Sequence, residues 1–193
     1  MTDWLRNADG RPSFVVTPSM LLPRLRSSAR RPKHAGAREF ASALQSDAWC
    51  GYPGSLHAVL ALLCREQIEG IVFLSGDAHL SCVARATVAD NRGHSVVLHS
   101  VHSSALYAPY RFANAAEADF AAPDAWDFAD ALDPTVVYSV TVTVERWAPG
   151  DGFASVRVVP EASAGGSMEV SFDRDLKTPP VEPVTITFPA RRA

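Results

Sequence analysis

Between residues 54 and 67 the apolar positions Leu56, Val59, Leu60 and Leu63 recur at i, i+3, i+4 and i+7. That period predicts a helix, Gly54–Gln67, with one apolar face. Pro53 stands near its start, where a missing N–H costs little, and Gly70 closes the connection. The next run, Ile71–Leu74, is apolar without alternation, which predicts a strand buried on both faces. A helix feeding such a strand is the pattern of a sheet covered by helices. Beyond it the period changes to two. Cys82–Ala89 and Ser95–Val101, separated by Asp90-Asn91-Arg92-Gly93, predict a hairpin. In Thr135–Trp147 the side chains of Val136, Tyr138, Val140, Val142 and Val144 point one way. A turn at Pro149-Gly150-Asp151-Gly152 leads to Phe153–Val159, read as its hairpin partner. Met168–Phe172 and Val184–Phe188 complete the strands, and Pro179, Pro180, Pro183 and Pro189 mark an edge strand or a meandering end. Upstream, Ser13–Thr17 is a short β-prone run stopped by Pro18. Ser19–Arg38 reads as a loop with a helical turn at Met20–Leu22, Ala37–Leu44 as a short helix, and 108–134 as a long polar connection. No repeat is present.

The chain has 193 residues, of which 47% are hydrophobic and 20% charged. These are the proportions of one globular domain with a sizeable core. A net charge of −3 excludes a generally basic nucleic-acid binder. No apolar run reaches the length of a membrane span and no leader opens the chain, so the expected compartment is the cytoplasm, with neither nucleic acid nor membrane as partner. Cys50, Cys64 and Cys82 are odd in number and lack metal-finger spacing, which predicts reduced, mostly buried thiols. Charge is unevenly spread. Residues 10–38 hold seven basic side chains and no acid, whereas 117–133 hold six acids and no base. Two solvated loops are the favoured reading. A basic loop that attracts an anionic substrate, or mutual attraction within the fold, are the others.

Candidate chemistry begins where the buried strand ends, in Phe73-Leu74-Ser75-Gly76-Asp77-Ala78-His79. Ligands sit at the C-terminal ends of strands in covered sheets. A glycine there permits an unusual backbone angle and close approach. A carboxylate and an imidazole two residues apart suit hard-to-borderline metal ions. The alternative roles are a turn-capping Asp77 and a solvent-facing His79. Upstream, Asp47-Ala48-Trp49-Cys50-Gly51-Tyr52-Pro53 forms a rigid aromatic turn. It serves either as an anchor on the core or as a pocket rim carrying Tyr52 or Asp47. In His99-Ser100-Val101-His102-Ser103-Ser104 the two histidines fall on opposite faces of a strand.

Taken in order, D-A-W-C-G-Y-P, an amphipathic helix and I-V-F-L-S-G-D-A-H resemble the PhoD-like alkaline phosphatases of the calcineurin-like metallophosphatase superfamily. The flanks F-V-V-T-P-S-M-L-L-P-R and S-S-A-L-Y-A-P-Y-R-F are similar too. The resemblance implies an α+β fold, the C-terminal half of a metallophosphatase-type β-sandwich flanked by helices, with additional β-hairpins towards the C-terminus. It implies residues 1–115 as that half-domain and 116–193 as its β-rich extension. The implied activity is metal-dependent hydrolysis of phosphate mono- and diesters. Asp77 and His79 match the family's last metal motif, as ligands of iron, calcium or manganese and as catalytic residues. Asp47, Trp49 and Tyr52 match the block beside the active site, as substrate-binding residues.

The family's earlier metal motifs have no counterpart. No Asn-His pair occurs, and the one other Gly-Asp, Gly150-Asp151, lies in a predicted hairpin turn. A two-metal site needs more ligands than two. The resemblance therefore implies a truncated, catalytically incomplete chain that associates with itself or with a separate N-terminal half. A non-catalytic relic or a β-rich binding module is the alternative.

Overall fold

The helical period is realised as α1, Pro53–Arg65, with the proline in its first turn and Arg65 in its last. The computed structural model describes residues 4–5, 12–24, 49–76, 80–106, 123–159, 166–174 and 180–189. The expected helix at Ala37–Leu44 lies outside them. α1 buries Leu56, Val59, Leu60 and Leu63; fully burying a side chain of this size stabilises by about 1.5–3 kcal/mol. Among the described residues no helix is long and apolar enough to cross a membrane.

Nine strands are described: β1 Ser13–Thr17, β2 Ile71–Ser75, β3 Leu80–Asp90, β4 Ser95–His102, β5 Asp124–Ala129, β6 Val137–Pro149, β7 Gly152–Val159, β8 Ser167–Arg174 and β9 Val184–Thr187. The first sheet has the order β1-β2-β4-β3-β6-β5, and the second β7-β8-β9. β1, β2 and β4 run parallel, and the other pairings of both sheets are antiparallel.

β2 shows why its sequence does not alternate. Ile71 and Phe73 join the core beneath α1, while Val72 points the other way, into a cluster with Met168, Val170, Phe172 and Ile186 of the second sheet. One face of the parallel strands is thus covered by a helix and the other by a sheet, a mostly β, α+β arrangement. The second sheet is narrow. On β6, Tyr138, Val140 and Val142 are buried on the helix side, whereas Ser139, Thr141 and Thr143 face water. Alternation appears where one face is left uncovered.

Three expectations are corrected. Phe153–Val159 is not the hairpin partner of the long strand. Both edges of β6 are taken, by β3 and β5, so the chain leaves this sheet and pairs with Ser167–Arg174 instead. Residues 124–129 of the supposed polar connection form β5. Its acids hide the alternation of Trp126 and Phe128, which face the helix side. Met20–Leu22 forms no helical turn; it is an irregular run whose three side chains are buried.

β5 is held by a compact set of contacts. The Trp126 indole N–H donates to His57 Nε2 at 3.3 Å. The His57 ring stacks on Phe128 at 4.1 Å, and Phe128 stacks on Tyr138 at 5.1 Å. Burial, then the nearby Arg24, holds the His57 pKa below its usual value, so a neutral ring accepts that bond. Arg24 donates twice to Asp124, at 2.7 and 2.9 Å, and lies 3.6 Å from the centre of the Trp126 ring. Arg92 pairs with Asp133 at 2.6 Å and Arg65 with Asp130 at 3.5 Å. At Asp124 and Asp130 the acidic stretch is paired within the fold rather than solvated, while the Arg92–Asp133 pair stays exposed. Arg24 comes from the basic stretch itself.

Two predictions follow from this packing. Gly152 has a φ of 155°, and a Cβ there would collide with the Asp173 carbonyl oxygen. Gly152→Ala should destabilise by about 3 kcal/mol or more, read as a lower denaturation midpoint. Asp130 is buried and accepts the Leu132 N–H at 2.8 Å, the Asp133 N–H at 3.2 Å and the Tyr138 hydroxyl at 3.2 Å. These bonds, the Leu132 N–H foremost, hold its carboxyl pKa below the ordinary value of 3.8. Its stabilising contribution is therefore complete above that value and is lost as pH falls through the lowered one. Asp130→Ala should cost about 2–3 kcal/mol at neutral pH, and in acid unfolding the stability difference between wild type and variant should shrink only as pH falls below 3.8.

Candidate functional site

Parallel pairing brings three strand ends to one edge of the first sheet: Thr17 of β1, Ser75 of β2 and His102 of β4. They are register partners in sequence across the sheet, Thr17 with Ser75 and Ser75 with His102. The row continues on the helix side through Cys82 to Trp147. β2 runs from this row into Gly76.

The row is bonded together. Ser75 Oγ lies 2.9 Å from His102 Nδ1, and His102 is fully buried. The Trp49 indole N–H donates to Thr17 Oγ1 at 2.9 Å, and that hydroxyl donates to the Ser19 carbonyl at 3.2 Å. Trp49 opens a short 3-10 turn, Trp49–Gly51, that leads through Tyr52 into α1. The Tyr52 N–H donates to the Trp49 carbonyl, and the Tyr52 carbonyl accepts from Ser55 and Leu56. The aromatic turn is therefore both an anchor on the core and a rim: Trp49 is half-buried, and Tyr52 is 59% exposed.

Beside β1 this edge opens into a hollow of about 280 Å³, lined by Thr17, Pro18, Ser19, Trp49, Tyr52 and Ser55. A larger hollow, about 530 Å³, lies at the opposite end of the parallel strands, where Arg85 and His99 meet Glu145 and the β9 residues Thr185 and Thr187. Burial, then Arg85, pushes the His99 pKa down to about 4. His99 and His102 do fall on opposite faces.

Of the residues singled out from sequence, Trp49 and Tyr52 sit together at the β1–β2 edge. Asp47, Asp77 and His79 lie outside the described residues. Ser75 and His102 stand within the motifs singled out from sequence but, like Thr17, were not placed together as parts of this edge. Their signal was position alone, each being the last residue of a parallel strand. Ser103 and Ser104 serve the fold: Ser103 Oγ accepts the Ala154 N–H at 3.0 Å, and the Ser104 N–H donates to Ser81 Oγ at 2.9 Å. Cys64 and Cys82 are buried and all three thiols are free.

Gly76 does not meet the expectation of an unusual backbone. It is not among the positive-φ glycines, and the nearest atom to a Cβ there, the Ser103 carbonyl oxygen, would be 3.7 Å away. As to a metal, the donors the described edge offers are the Thr17 and Ser75 hydroxyls and the His102 imidazole. Among the described residues no group of three His, Cys, Asp or Glu side chains is placed to hold one. The donor types a hard or borderline ion requires are those of Asp77 and His79.

A family model of PhoD-like phosphatases matches residues 2–143. No curated protein and no solved structure matches.

Gly76→Ala should leave stability within about 1 kcal/mol of wild type, checked by thermal unfolding. Any accompanying loss of activity then belongs to the site and not to the fold.

Proposed function

The chain belongs to the PhoD-like phosphatase family, and on that premise we propose that it takes part in metal-dependent hydrolysis of phosphate mono- and diesters. The observation that carries this reading is the convergence of the β1, β2 and β4 termini at one sheet edge. From that edge the chain runs straight into Gly76-Asp77-Ala78-His79. Asp77 and His79 are the residues that would hold the metal. When bound, the metal supplies Lewis acidity toward water and the phosphoryl oxygens. Tyr52 and Trp49, with Asp47, contribute to substrate binding beside it.

Two ligands are too few for a two-metal site, so the remaining ligands come from other polypeptide, a second copy or a separate N-terminal half. The chain's lack of an Asn-His pair supports this. So does edge strand β7, which exposes Phe153, Val156, Val158 and Val159, the kind of surface that other strands cover.

Manganese, calcium and ferric binding should each be measured by calorimetry on the wild type and on His79→Ala. Hydrolysis of a chromogenic phosphomonoester and phosphodiester should be assayed beside it. Weak metal binding that drops at least about tenfold in His79→Ala, with little hydrolysis by the chain alone, is the expected result. Unchanged metal binding in His79→Ala would remove the ligand assignment. Efficient hydrolysis by a monomer would remove the incomplete-site reading.

A further inference from the structure

Among the described residues that line the hollow beside β1 none carries a charge, and two of these six are aromatic. We propose that it receives the leaving group of the phosphoester, and that this group is an uncharged planar ring, as in aryl and nucleoside esters. The inference rests on the phosphoesterase reading and adds the substrate class.

Position supports it first. Thr17, on the wall of the hollow, is the register partner of Ser75 on the neighbouring strand. Adjacent strands lie about 4.8 Å apart. A phosphoryl group handled just beyond Ser75–Gly76 would therefore carry its first ring into the hollow. Size comes second. At about 280 Å³ the hollow lies below the range of pockets that enclose a whole drug-sized ligand, and it suits a single ring system.

The walls are also set in advance. Trp49 is held by its bond to Thr17 Oγ1, which is itself engaged with the Ser19 carbonyl. The Trp49 and Tyr52 backbones are joined by a hydrogen bond at the start of α1. A ring entering here meets aromatic side chains whose backbone is already ordered, and aromatic rings recognise planar bases by stacking without regard to their identity. Charge sets the other limit. A leaving group bearing further phosphates or a carboxylate would lose water without finding a cation among these six residues. Esters of small aliphatic alcohols gain no stacking.

The test uses the 193-residue chain with adenosine as the neutral ring and glycerol as the aliphatic control, each titrated by saturation-transfer NMR. Wild type, Tyr52→Ala and Tyr52→Phe are compared, with thermal unfolding confirming that each variant is folded. Adenosine should bind, glycerol should not, Tyr52→Ala should weaken adenosine about tenfold, and Tyr52→Phe should restore most of the loss. Equal binding of both ligands, no binding of either, or a Tyr52→Ala variant indistinguishable from wild type would overturn the proposal. A second arm separates this from the phosphoesterase reading. In any preparation that hydrolyses esters with added manganese, the ratio of kcat/KM for phenyl phosphate over glycerol 2-phosphate should fall about tenfold in Tyr52→Ala. Hydrolysis with an unchanged ratio overturns the leaving-group assignment alone. Adenosine binding in a protein that hydrolyses nothing under any metal keeps the ring-binding hollow and overturns the phosphoesterase reading.

Discussion

The parallel strands β1, β2 and β4 must be covered on both faces, and most of the fold answers that requirement. Strands of this kind carry apolar side chains front and back, as Ile71, Val72 and Phe73 do. α1 covers one face. The other face is covered by β7, β8 and β9, which the chain reaches only by leaving the first sheet at the end of β6. The crossing is narrow. The Gly152 N–H donates to the Ala105 carbonyl, and Ser103 Oγ accepts from Ala154, so the segment after β4 fastens the two sheets together. Gly152 is the position at which no other residue fits without strain. The same requirement explains why the antiparallel half alternates: three strands cover the parallel half and stop.

How far the sequence could be read follows from the same geometry. The amphipathic helix, the unbroken apolar strand and the β3–β4 hairpin are local patterns, and each formed within a few residues of its predicted limits. The β6–β7 pairing failed because it depended on which edges of β6 were free, a fact about β3 and β5 and not about the turn. β5 was hidden because Asp124 and Asp127 alternate with Trp126 and Phe128. Asp124 is paired with Arg24, one hundred residues earlier. At the candidate edge, Trp49 and Tyr52 were visible as an unusual aromatic turn. Thr17, Ser75 and His102 were ordinary residues that become a row only when three strands are laid in register.

The electrostatics follow a similar division. Three of the four acids of residues 124–133 are drawn into caps and pairs: Asp124 with Arg24, Asp130 with backbone donors and Tyr138, Asp133 with Arg92 and Thr135. Burial, then the bond to the Asp130 carboxylate, pushes the Tyr138 hydroxyl up to about 12, so it is a donor at neutral pH. These charges support the side of the sheet away from the strand ends.

The strand-end row is built from hydroxyl, indole and imidazole groups bonded to one another, Trp49 with Thr17 and Ser75 with His102. Such a frame has a chemical consequence. The hydrogen bond at Nδ1 fixes the orientation of the His102 ring, and the hydroxyls and indole beside it do not attract a phosphate on their own. Charge-bearing donors follow directly in the sequence, as Asp77 and His79. On the proposed reading phosphate is handled through that segment together with ligands from other polypeptide, while the frame beside it selects on shape and apolar contact. Reactivity and selectivity are then separated by a single strand spacing, because three parallel strands end in register.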